Sequence, residues 1–286
     1  MLVSWNDYRF GKRWVSKKYA VSVTPIFAKG HHKKRGYVLL EEVSKEFDIS
    51  DSGSISFLIA KNNSERHALI RVGALFEGKG TQSRAVQNSV IVAPKSEAKV
   101  AVKCVYASHP ISQDSKFNIT NTYSPITTTA SLMSDNQSSV WGSVASYSGV
   151  VSIAVSGSLT ISDNLIGSVS NPKFTESIDE RAKGIPISSN QVGIIVVDGE
   201  GLLGVELFDS PESWKFASKC IIRKYAEAFL KEGKPRTGTT KSFLKDLEGV
   251  NFIRETTVFE DKLIYFVAHR QLRAASTGPS FSVYTS

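Results

Sequence analysis

Apolar and polar residues alternate with a period of two in several short runs, and recur at helical spacing in a few longer ones. Tyr19–Ile26 alternates and predicts a strand, followed by a loop over Gly30–Gly36. Val38–Phe47 has helical spacing, ended by Asp48–Gly53. Ser54–Ile59 predicts a strand, with a turn at Asn62-Asn63-Ser64. The densest apolar stretch comes next. His67–Leu75 is β-prone, Phe76–Thr81 is a glycine turn, and Ala85–Val92 and Lys99–Tyr106 predict two strands of an antiparallel meander. Pro94 in the Ala93–Glu97 link suits turn position i+1, where its fixed φ is already correct.

From Ser108 to about Asn190 the chain turns to Ser, Thr and Asn. This predicts a long irregular loop over Ser112–Thr129, a short helix over Gln137–Val144, a serine-rich strand over Val151–Ile161, and helix at Glu176–Arg181. The clearest unit follows. Gln191–Val197 and Leu202–Leu207 are strands joined by the Asp198-Gly199-Glu200-Gly201 turn. Ser210 then caps a helix with Pro211 in its first position and Glu212 in its first turn, and Gly233 closes it. A helix near Lys241–Leu247 and a hairpin over Phe252–His269, turning at Glu260-Asp261, complete the reading.

This mixture predicts an α+β protein, predominantly antiparallel sheet with a few helices. The expectation is one compact, two-lobed domain over residues 1–270. Its N-lobe covers about 19–107 and its C-lobe about 137–270, with a frayed tail over 271–286. No apolar run approaches the roughly 18–20 residues of a membrane helix, so no membrane association is expected. Two cysteines, Cys104 and Cys220, stand far apart without metal spacing, which fits a reducing cytoplasm.

Charge changes the picture at one end only. Residues 1–36 hold nine of the 35 basic side chains and one of the 27 acids, Asp7, so the remainder balances at 26 of each. Trp5, Tyr8, Phe10, Trp14 and Tyr19 are interleaved with these cations. The basic residues between Arg9 and Arg35 therefore suggest a nucleic-acid or anionic surface. The alternative is half-buried strands with solvated lysines.

Catalytic signatures such as GxSxG, GxxxxGK[ST], HExxH and CxxC are missing, and neither a metal site nor a cofactor is implied. The Gly233–Ser242 run has the wrong spacing for a phosphate loop and follows a helix. His31-His32 has no carboxylate nearby, and Cys104 in an apolar strand reads as a buried, inert thiol. Glu77, Gln82, Arg84, Gln87 and Asn88 form a polar cluster around a glycine turn. An arginine with amide donors suits a phosphate or a nucleotide edge; the competing reading, slightly favoured, is that these groups satisfy the backbone of a buried turn.

The run Gly73–Ser96, then Val102-Lys103-Cys104-Val105, Gln137–Trp141, Gln191-Val192-Gly193 and Phe208-Asp209-Ser210-Pro211, resembles a prokaryotic family. This is the ADP-ribosylglycohydrolase and rhodanese-phosphatase-superfamily-associated protein family. The matches span residues 20 to 270 in order. The chain departs at Tyr106–Pro110, where the family continues with an acid and an Arg-Trp pair. The resemblance implies work on an NAD-derived or ADP-ribosyl nucleotide and carries no mechanism.

On that basis the expected ligand is a nucleotide held around Glu77, Gln82, Arg84, Gln87 and Asn88, with Trp141 as a stacking platform. In an enzyme, Glu77 would be the general base and Arg84 the phosphate contact. Two other classes compete. One is a non-enzymatic, self-assembling homo-oligomer, suggested by long Ser/Thr-rich segments without acid–base pairs. The other is nucleic-acid binding through the basic N-terminal segment.

Overall fold

The structure is a computed structural model. It describes residues 5–30, 35–110, 115–133 and 136–245, and beyond them the backbone of four strands. The chain divides into two compact units, residues 1–35 with 178–286, and residues 36–177. These units cut across the lobes expected from sequence.

Strands β1 (Tyr8–Phe10), β2 (Trp14–Val15) and β3 (Ser22–Ala28) open the chain. The second unit then runs through β4 (Tyr37–Leu39), β5 (Phe47–Ser54), β6 (Phe57–Asn62), β7 (His67–Ile70) and β8 (Ala74–Gly78). It continues with β9 (Arg84–Val86), β10 (Val90–Val92), β11 (Ser96–Cys104) and β12 (Lys116–Tyr123). Helices α1 (Ile126–Leu132), α2 (Gln137–Ser156), α3 (Leu165–Val169) and α4 (Pro172–Arg181) follow. The chain returns to the first unit at Ile178, within α4, and runs on through β13 (Gln191–Val197), β14 (Leu202–Phe208), α5 (Pro211–Lys224) and α6 (Thr240–Lys245). It continues with β15 (Asn251–Thr256), β16 (Lys262–Val267), β17 (Leu272–Thr277) and β18 (Ser280–Thr285).

The first unit is built on a nine-stranded antiparallel sheet, ordered β1-β3-β13-β14-β18-β17-β16-β15, with β2 also paired to β3. All seven residues of β13 are buried. That burial explains its unbroken apolar run, which a sheet with one wet face would not need. Helix α5 packs on β13 and β14. Ile26, Val192, Ile195, Val205, Leu207 and Phe243 join in one core cluster.

The second unit combines a closed barrel, β11-β6-β5-β12-β8-β9, with a three-stranded sheet, β10-β7-β4. In β11, Ala98, Val100, Val102 and Cys104 are buried while Glu97 and Lys99 are exposed, so the pleat separates an inner from an outer face. The α+β class with dominant antiparallel pairing is therefore correct.

Several elements differ from the sequence reading. Val38–Phe47 is not a helix. Its consecutive apolar residues finish β4 and line the core, and two 3-10 turns lead into β5. The Ala85–Val92 run splits at Gln87–Ser89 into β9 and β10, which belong to different sheets, so β10 and β11 form no meander. Ser112–Thr129 takes in β12 and the first turn of α1, the alternation of Phe117 and Ile119 with polar residues being hidden among Ser, Thr and Asn. Val151–Ile161 is the last part of α2 and the loop after it. The helix stops at Gly157, whose φ of +73° suits a C-terminal cap. Residues 272–277 and 280–285, expected to fray, are β17 and β18. The His31-His32 pair and the Glu260-Asp261 turn lie outside the described residues.

Candidate functional site

The strand pleat divides the polar cluster around the glycine turn. In β8, Phe76 pairs in register with Arg84 of β9 and with Ile119 of β12, while Glu77 pairs with Asn118. In-register antiparallel partners share a face and neighbours along a strand do not. Arg84 therefore belongs to the inner face of the barrel and Glu77 to the outer. They cannot grip one ligand together.

Glu77 is exposed, and its Oε2 accepts from Asn118 Nδ2 at 3.4 Å. Both line an open groove of about 620 Å³ with Lys45, Thr120, Asn164 and Ser170 among its walls. Asn164 is held in place by capping α3, its Oδ1 accepting from the Ile166 N–H at 3.1 Å. On the Asn118 side, β12 loses its regular register between Ile119 and Tyr123, and Asn121 takes a φ of +55°. Irregularities of this kind re-aim side chains beside binding sites. Sequence reasoning found Glu77 and missed its partners. The available signal was the Phe117–Thr120 alternation; Lys45 and Asn164 gave none.

Gln82 and Arg84 lie together at the barrel interior. Arg84 Nη1 donates to the Gln82 carbonyl at 2.6 Å, and the Cys104 thiol donates to Gln82 Oε1 at 2.9 Å. Burial pushes the Cys104 thiol up, and the charges of Arg84 and Lys103 only partly offset this. Burial likewise lowers Arg84 from its usual value, opposed by Cys104 and Asp51. A thiol so placed is protonated at neutral pH, which fits a structural role.

Gln137, the first residue of α2, brackets the Cys104 backbone. Its Nε2 donates to the Cys104 carbonyl at 2.8 Å and its Oε1 accepts from the Cys104 N–H at 3.2 Å. Trp141 stands one turn further along α2, 38% exposed, and does not line the groove. Gln87 and Asn88 occupy the crossover from barrel to three-stranded sheet, where the Gln87 N–H donates to the Ala101 carbonyl at 2.8 Å. They too lie apart from Glu77.

A further polar group, unforeseen from sequence, gathers past the ends of parallel β4 and β7. Burial pushes the Glu41 carboxyl up, opposed by the nearby Tyr123 side chain and the charge of Arg71. The Arg71 guanidinium carbon lies 5.9 Å from the Tyr123 ring centre.

The basic N-terminal segment makes many contacts inside its own unit. Arg9 lies 4.8 Å from the Phe27 ring centre, and Arg13 lies 5.1 Å from that of Phe243 while donating to the Gly238 carbonyl at 2.8 Å. Lys18 pairs with Glu232 at 3.0 Å, and Arg35 with Glu212 at 3.5 Å. Lys12, Lys17 and Lys29 are exposed. Among the described residues no group of three His, Cys, Asp or Glu side chains could hold a metal ion. No described helix is long and apolar enough to cross a membrane.

No curated protein and no solved structure gives a significant match to the chain. Comparison with protein families does give one, to the ARG and Rhodanese-Phosphatase-superfamily-associated Protein domain over residues 7–275. That span takes in the glycine turn, the barrel and the β13–β14 hairpin, and the chain belongs to this family.

Proposed function

We propose that the protein binds an NAD-derived or ADP-ribosyl nucleotide in the groove that carries Glu77. The observation behind this reading is the groove itself. Its volume of about 620 Å³ falls within the ~300–1,000 Å³ of small-molecule sites, and its walls combine an acid, two amides, hydroxyls and a lysine. Glu77 and Asn118 suit ribose hydroxyls, and Lys45 suits a phosphate. The family's association with ADP-ribosylglycohydrolases supports the ligand class. In a hydrolytic version of this reading Glu77 is the general base, being the one acid among the groove's lining residues.

Calorimetric titration with ADP-ribose, NAD and AMP tests the proposal. Saturable binding of ADP-ribose or NAD is expected, weakened about tenfold in Glu77→Gln and in Asn118→Ala, or ~1.4 kcal/mol each. Binding that neither substitution changes would remove the groove as the site. Absence of binding would remove the ligand class.

A second reading, a self-assembling subunit, draws on α2. Its twenty residues carry no charge, and Trp141 and Ile153 are exposed on it, as are Leu159 and Ile161 just beyond. Sedimentation that stays monomeric at all concentrations, unchanged by Ile153→Lys, would dismiss it.

A further inference from the structure

The interior of the barrel presents a second polar site, separate from the groove. Arg84 of β9 is the in-register partner of Cys104 on β11 and of Phe76 on β8, so its side chain belongs to the inner row of the sheet. It is fully buried. Nη1 is satisfied by the Gln82 carbonyl at 2.6 Å. The opposite edge, Nε with Nη2, is buried and has no hydrogen-bond partner in the protein.

That edge is the one a guanidinium uses to hold two oxygens side-on. Arg223 shows it in use, with Nε donating to Asp179 Oδ1 at 2.8 Å and Nη2 to Oδ2 at 2.6 Å. Arg84 offers the same fork without a carboxylate. Asp51 is the acid whose field reaches it, yet the two form no ion pair, and Asp51 Oδ1 accepts from the Gly53 N–H at 2.6 Å. Arginine stays charged even when buried, so two unmatched donors leave a positive site inside the barrel, beside the Phe117 ring centred 6.0 Å away.

We propose that the inner edge of Arg84 is a binding site for a small oxyanion, a carboxylate or a phosphate group, held side-on by Nε and Nη2. Cys104 is the neighbouring group on the same face. The ligand covers the thiol without reacting with it. This site neither needs nor excludes a nucleotide in the Glu77 groove.

Thermal denaturation in inorganic phosphate and in sodium acetate, each against sodium chloride at equal ionic strength, tests the site. One of the two anions raises the wild-type Tm saturably by at least about 2 °C, and which one does so separates a phosphate from a carboxylate source. Arg84→Lys keeps the charge without the fork and loses most of that rise, and Arg84→Met loses all of it.

A second measurement needs no change at Arg84. In a Cys220→Ser background, alkylation of Cys104 by neutral iodoacetamide slows about tenfold when the active anion reaches ~10 times its Kd. The proposal is overturned if neither anion shifts Tm, the result expected of a buried water on the edge. It is overturned equally by a shift that survives Arg84→Met, or by an alkylation rate indifferent to the anion.

Discussion

At the residue scale the sharpest energetic commitment in the first unit is an ion pair taken wholly out of water. Lys224 Nζ on α5 donates to Glu206 Oε1 on β14 at 2.9 Å, and both side chains are 0% exposed. Desolvation of each charge is offset in large part by the other. Glu206→Gln or Lys224→Met alone is expected to cost about 3–5 kcal/mol in urea unfolding. The double substitution Glu206→Leu with Lys224→Met should recover most of that loss. Single variants of near-native stability would show that the pair is not the constraint its burial suggests. Neither residue stands out in the sequence, because a lysine in an amphipathic helix and one acid in a strand both suit a solvated face. Arg84 and Glu77 did stand out, but their division between two faces follows from the register of β8 against β9 and β12.

At the scale of elements, α4 is tied to α5 by one carboxylate. Asp179 accepts from both Nε and Nη2 of Arg223 and pairs with Lys219 at 3.0 Å. Partial burial pushes Asp179 up, yet hydrogen bonds and charge from Arg223 and Lys219 outweigh it and hold the carboxyl below its ordinary value. A depressed native pKa adds stability that is fully present above the unfolded value of roughly 3.9, and is lost as pH falls through the native pKa. The Tm difference between wild type and Asp179→Asn should therefore be constant near neutrality and shrink below about pH 4. A difference unchanged down to pH 2 would count against the clamp. The elements involved were partly legible. Ser210, Pro211 and Glu212 announced the start of α5, and the Ser210 hydroxyl accepts from the Glu212 N–H at 3.2 Å as a cap should. Helix α2 was legible only at its first turns, since its serines and valines suit a strand equally and nothing local decides between them.

At the scale of the molecule, residues 36–177 form a unit continuous in sequence, whereas the other is completed by segments from both sides of it. The continuous unit has its own barrel, and closure removes the open edges of that sheet. Residues 36–177 expressed alone should therefore unfold in a single cooperative thermal transition. A non-cooperative melt would show that the unit depends on the remainder of the chain. The sequence alone determined the α+β class, the β13–β14 hairpin with its capped helix, the resemblance to the family, and the residues of the glycine turn. The resemblance is carried by motifs spread along the chain, and the others rest on patterns within about ten neighbouring residues, where periodicity, turn chemistry and capping act directly. The tertiary structure decided which strands close the barrel, that Ala85–Val92 serves two sheets, and that Gln137 holds the backbone of Cys104. It also placed Asn118 beside Glu77 and turned Arg84 inward. Each of these depends on register between segments distant in the chain, and a shift of one residue reverses every side chain from one face to the other. Local preference carries no information about that choice; packing of the whole sheet makes it.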